Sequence, residues 1–133
     1  MNAHRLPHRH SNRLLVPLMG ISLFFLLYIL AAALYPGGSD HDSIAKGFSL
    51  QNNYWCDLMG QWAKNGVQNP AQPIAIAAWI VLCCSLCLFW LYLPKLFPFS
   101  SIRQTIIQIS GVCTSLIGLF IFTKYHDSAI RLS

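Results

Sequence analysis

The chain contains no glutamate, and charged residues fill only 10% of its 133 positions. Soluble domains carry about 25% charged residues, so the sequence lacks the surface that keeps a folded chain in water. Acidity comes from four Asp alone, against nine Lys and Arg, for a formal net charge of +5. That balance is not a nucleic-acid footprint, because the basic residues fall between apolar runs and do not cluster beside a soluble fold. Nucleic acid is not an expected partner. A secreted disulfide framework is also excluded: of Cys56, Cys83, Cys84, Cys87 and Cys113, all but the first lie inside apolar runs. Cys83, Cys84 and Cys87 have no charged or His neighbour to stabilise a thiolate, and they read as small core hydrophobes. Internal repeats and low-complexity segments are missing as well.

What is present is hydrophobicity, 55% of the chain, gathered in three runs. Residues 14–35 hold no charge over 22 positions. A helix of that length spans about 33 Å, enough for a hydrocarbon core of about 30 Å. Pro17 falls in its first turn, where a missing N–H matters little. Ala31-Ala32-Ala33 would suit a signal-peptide cleavage site, but the run is longer than an ordinary signal core and two more runs follow it, so it is read as a retained span. The turn cluster Pro36-Gly37-Gly38-Ser39-Asp40 ends it. Residues 74–93 and 105–123 form the second and third runs. The tail, 124–133, is too short and polar to cross again. The predicted architecture is a single all-α membrane domain: three transmembrane helices in a lipid bilayer, with a structured outer loop, 36–73, that contains a short interfacial helix.

Hydrophobicity alone does not explain residues 48–73, FSLQNNYWCDLMGQWAKNGVQNPAQP. Trp55, Leu58, Met59 and Trp62 recur at i, i+3, i+4 and i+7, the spacing of one helical face, with Tyr54, Asp57, Gln61 and Lys64 on the other side. This predicts a helix begun near Ser49, weakened by Gly60 and ended by Gly66. Its aromatic face suits the headgroup layer. In the third run, Gly111, Thr114, Ser115 and Gly118 form a small-residue stripe suited to close helix packing.

Short flanks set orientation. Arg5, Arg9 and Arg13 precede the first run, and Lys95 and Arg103 separate the second from the third; both groups belong in the cytoplasm by the positive-inside rule. The N-terminus is then inside, and the loop and the C-terminal tail are outside. That topology gathers Asp57, Asn69, His126 and Asp127 at the outer mouth, with His41 nearby. Carboxylate and imidazole groups there are candidates for a metal site or an acid–base pair. In the opposing reading Asp57 accepts backbone N–H bonds and His126-Asp127 is a hydrated end. Asp40-His41-Asp42 and the N-terminal His4 and His8 read as solvated. No sequence feature names a cofactor. The runs hold no Asp, Lys, Arg or His, which argues against an ion-coupled pump.

The segments YPGG at 35–38, GFS at 47–49, NYWCDLMG at 53–60, NPA at 69–71, ISG at 109–111 and HD at 126–127 carry a resemblance. The chain resembles the bacterial multi-span membrane proteins of domain of unknown function 998, loosely similar to Frag/DRAM/Sfk-type proteins. The resemblance places Asn53, Cys56 and Asp57 on a family pattern in the first outer loop. It also implies six spans where this chain has three, as expected of an N-terminal half, a fragment, or a half that assembles with another copy. The leading expectation is a structural or assembly subunit of the bacterial cytoplasmic membrane, a homo-oligomer or the companion of a second membrane subunit. One alternative is a membrane enzyme acting on lipid headgroups, with Asp57 and His126 as base or metal ligands, Asp127 orienting His126, and Asn53 and Asn69 binding substrate. A second is half of a small-molecule transporter.

Overall fold

The computed structural model describes residues 14–121, and these are all-helical apart from two isolated antiparallel bridges in a loop. Helix α1 is Leu15–Leu34, α2 is Gln72–Tyr92 and α3 is Ser101–Ile121. Two helical segments, α1 and the stretch Gln72–Leu96 that extends α2, are long and apolar enough to cross a membrane. α3 has a similar length, but Arg103, Gln104 and Gln108 stand in its first half.

Local chemistry sets the ends. Pro17 lies in the first turn of α1, and Tyr35, held extended ahead of Pro36, ends that helix (φ −65°, ψ 128°). Pro73 opens α2 at a position where no N–H is required. Pro94 turns the far end of α2 into a short 3₁₀ segment, Leu93–Leu96. α3 starts four residues earlier than its apolar run, because the side chain of Gln104 reaches back to the carbonyls of Phe97 and Phe99 and fixes the incoming chain.

α2 is the central helix. It packs against α1 along one face and α3 along another. Phe24, Tyr28 and Ala31 of α1, with Tyr35 just past its end, line the buried face; the partners are Ala71, just ahead of α2, and Ala75 and Ala78 within it. Aromatic rings therefore rest on a strip of alanines, which lets the backbones approach. Lower down, Gly20 meets Ser85 so closely that a Cβ at Gly20 would lie 3.0 Å from the Ser85 Cβ. Leu58 and Ala63 of the α1–α2 loop complete this core.

The loop departs from expectation. In place of an amphipathic helix between Ser49 and Gly66 there is one 3₁₀ turn, Trp55–Met59, and Gly60 is extended (φ −66°, ψ 145°). The expected apolar face is also split. Leu58 is fully buried, whereas Trp55 and Trp62 are 51% and 61% exposed. A hairpin over 62–68 and a bridge between Gly37 and Lys46 make up the rest.

Candidate functional site

The residues singled out in the loop meet at one place, a polar knot that holds the 3₁₀ turn over the end of the α1–α2 pair. Asp57 is at its centre. One carboxylate oxygen accepts the Tyr54 N–H at 2.9 Å and the Asn53 side-chain amide at 3.2 Å; the other lies 3.6 Å from the Lys64 ammonium. Only 7% of the Asp57 side chain is exposed. A carboxylate three residues past the turn's first N–H is well placed to cap it, which satisfies a donor that the turn cannot.

Asn53 works on the opposite side. Its Oδ1 accepts the Ser49 N–H at 3.0 Å, and its Nδ2 donates to the Gly38 carbonyl at 2.8 Å as well as to Asp57. Asn69, immediately before Pro70, clamps the exit. Its Nδ2 donates to the carbonyls of Leu58 at 3.0 Å and Gly60 at 2.9 Å, and its Oδ1 accepts the Ala71 N–H at 3.0 Å. Gln72, the first residue of α2, adds a bond to the Met59 carbonyl at 3.2 Å. Asn53 and Asn69 are both buried. A buried amide leaves a large penalty when its bonds are unmade, and here each has partners in the backbone.

Two tyrosines of α1 tie the knot to the helices. The Tyr28 hydroxyl donates to the Trp55 carbonyl at 2.7 Å while its ring stacks on the Trp55 indole at a centroid distance of 5.0 Å. The Tyr35 hydroxyl accepts the Lys64 N–H at 3.0 Å, and its ring meets Phe48 edge-on. The Lys64 ammonium bonds Asp40, so it links an exposed carboxylate to the enclosed one of Asp57. This bond to Asp40 raises the Lys64 pKa above its usual value.

His126 and Asp127 lie outside the described residues. His41 is exposed, and Asp42 beside it accepts the Ile44 N–H at 3.0 Å in a local turn. Among the described residues no group of three His, Cys, Asp or Glu side chains could hold a metal ion. On α3, Gly111 and Ser115 are buried and Gly118 is half-buried, whereas Thr114 is exposed. The packed stripe meets α2 of the same chain. The Trp90 side chain lies over Gly111, Cys83 lies beside Gly118, and the Trp79 indole N–H donates to the Gly118 carbonyl at 2.9 Å.

The sequence marks Asn69-Pro70 as the entry to the second helix, and Asn69 as a substrate-binding residue only under the enzyme alternative; its grip on the turn was overlooked. The signal was the Asn-Pro-Ala sequence at the start of an apolar helix, where the Asn oxygen can serve an otherwise orphaned N–H. The clamp on the Leu58 and Gly60 carbonyls comes from tertiary placement and left no local mark. Gln72 and the two tyrosines were missed for the same reason. No protein-family model, curated protein or solved structure matches the chain.

Proposed function

We propose that the chain is a three-span protein of the bacterial cytoplasmic membrane, N-terminus in the cytoplasm, that acts as a structural or assembly subunit of the domain-of-unknown-function-998 type. One observation carries this reading: the polar atoms of Asp57, Asn53 and Asn69 are engaged with the cap itself, in bonds that hold the loop to α1 and α2. An enzyme built on Asp57 would have to release the Tyr54 N–H and the Asn53 amide before it could take a proton or a metal. The third span is supported by the packing of α3 on α2 and by its outward row of Ile102, Ile106, Ile109, Ile117 and Phe120. Lys95 and Arg103 flank the end opposite the cap, as the inside orientation requires.

Assembly then uses the exposed flank of α3 where Ser110 and Thr114 stand, because Gly111 is covered by Trp90 of α2 and Ser115 is buried. The test is the oligomeric state in lipid nanodiscs of native chain and Thr114→Leu. An oligomer that Thr114→Leu weakens without loss of helicity supports the reading. A monomer at every protein-to-lipid ratio removes it.

A further inference from the structure

We infer that the Trp55–Met59 turn re-enters the lipid interface, with Trp55 seated on Tyr28 and touching the boundary between headgroups and acyl chains. The inference rests on the reading of α1 and α2 as membrane spans.

Depth is the first observation. Tyr28 lies six residues before Leu34, the last residue of α1. The stack on Tyr28 therefore sets the Trp55 end of the turn beside a ring whose Cα is about 9 Å below the helix end. Met59, at the other end, is bonded to Gln72, the first residue of α2. The turn caps the helix ends at Met59 and reaches down along α1 at Trp55.

Continuity is the second. Phe25, Phe24, Tyr28 and Trp55 form an unbroken row of rings, with successive centroids 5.1, 5.1 and 5.0 Å apart. Phe25 and Trp55, the two ends of the row, are each 51% exposed, and Ile29, one turn after Phe25 on α1, is more exposed still. The two inner rings, Phe24 and Tyr28, are buried, so the row anchors the exposed Trp55 to the core of α1 while Phe25 is exposed at its other end. Leu50 and Tyr54 are exposed apolar side chains of the same loop. Trp and Tyr are the residues that favour this layer, because each pairs an apolar ring with a polar group.

Backbone chemistry is the third. Irregular backbone at lipid depth is tolerated only where its polar groups are satisfied by protein. The carbonyls of Trp55, Leu58, Met59 and Gly60 each accept a bond from a side chain: Tyr28, Asn69, Gln72 and Asn69 in turn. The charged side of the turn is directed the other way, with Asp57 against Asn53 and Lys64.

The partner is a phospholipid surface, and the test reads the depth of single tryptophans. The chain has four, Trp55, Trp62, Trp79 and Trp90. Trp62→Phe/Trp79→Phe/Trp90→Phe leaves Trp55 alone; Trp55→Phe/Trp62→Phe/Trp90→Phe leaves Trp79, a reporter inside α2. Both go into phosphatidylcholine vesicles whose acyl chains carry bromine, either near the headgroup or deep. The expected result is severalfold quenching of Trp55 by the shallow bromines with little quenching by aqueous iodide, and quenching of Trp79 by the deeper ones. If Trp79 is quenched by bromine while Trp55 answers only to iodide, the re-entrant turn is overturned and the spans stand. If neither feels bromine, the membrane reading falls and the inference falls with it.

A second measurement avoids substitution. In the unaltered chain in phosphatidylcholine nanodiscs, hydroxyl-radical footprinting should oxidise Trp62 severalfold more than Trp55, although their exposures in the protein alone are similar. Equal oxidation overturns the proposal.

Discussion

The side-chain amide of Asn69 donates to the carbonyl of Leu58 at 3.0 Å, across eleven residues and at the point where the loop becomes α2. The same amide reaches Gly60, and the amide oxygen serves Ala71. One side chain thus closes a turn and starts a helix.

Asn69→Ala leaves the carbonyls of Asp57, Leu58 and Gly60 and the Ala71 N–H without this partner, and it should destabilise the protein by about 2–3 kcal/mol. Asn69→Asp should cost more. It keeps an acceptor for Ala71 but places a carboxylate oxygen against the Leu58 and Gly60 carbonyls, where donors are needed. Denaturant unfolding in detergent, followed by tryptophan fluorescence, checks the order. Equal stability of Asn69→Asp and native protein contradicts the clamp.

The helices were legible because uncharged apolar runs of this length admit few alternatives. Run 14–35 became α1 at Leu15–Leu34, and run 74–93 became α2 at Gln72–Tyr92. The loop was legible in position but not in form; Asn53, Asp57 and Asn69 stood out in the sequence as candidates for a site, and in the fold their side chains bond the cap. The periodicity of Trp55, Leu58, Met59 and Trp62 predicted a helix. Asn69 and Gln72 instead take the Leu58, Met59 and Gly60 carbonyls that a continuing helix would have used. The small-residue stripe on α3 was visible too. Its separation into packed Gly111 and Ser115 and exposed Thr114 depends on where α2 lies, which spacing does not encode.

Gly111 and Gly118 should respond differently to the same change. A Cβ at Gly111 would lie 2.7 Å from the Trp90 Cβ and nearer still to its ring, whereas one at Gly118 would meet only the Cys83 sulfur, at an ordinary 3.5 Å. Gly111→Ala should cost about 1–3 kcal/mol through overpacking. Gly118→Ala should be close to neutral. Thermal unfolding of the two variants in one detergent separates them.

Gly38 and Gly66 make a second contrast. Both have positive φ, +82° and +79°. Around Gly66 there is open space, so Gly66→Ala carries only the conformational cost of about 1–2 kcal/mol. At Gly38 a Cβ would also run into the backbone of Lys64 and Asn65. Gly38→Ala should therefore be the more damaging, with lower yield of folded protein and a lower melting temperature than Gly66→Ala.

The pairing of Lys64 with Asp40 gives a pH dependence. The Lys64 pKa is raised in the folded protein from 10.5, chiefly by its bond to Asp40. Stability from that bond is fully present below pH 10.5 and is lost as pH rises through the folded value. Both side chains are more than a third exposed to water, so the contribution is small, about 0.2–1 kcal/mol, and weakens with salt. Asp40→Asn should melt slightly below native protein at neutral pH and low salt. The gap should close in strong alkali or at high ionic strength.

The most direct measurement is amide hydrogen exchange of the chain in lipid nanodiscs, native beside Asn69→Ala. In the native chain, residues 53–60 should exchange slowly, with protection close to that of the neighbouring turns of α1 and α2. Asn69→Ala should lose protection there first and keep it in α3. Rapid exchange of 53–60 in the native chain, as in an unstructured loop, contradicts the cap and the structural role assigned to Asp57 and Asn69.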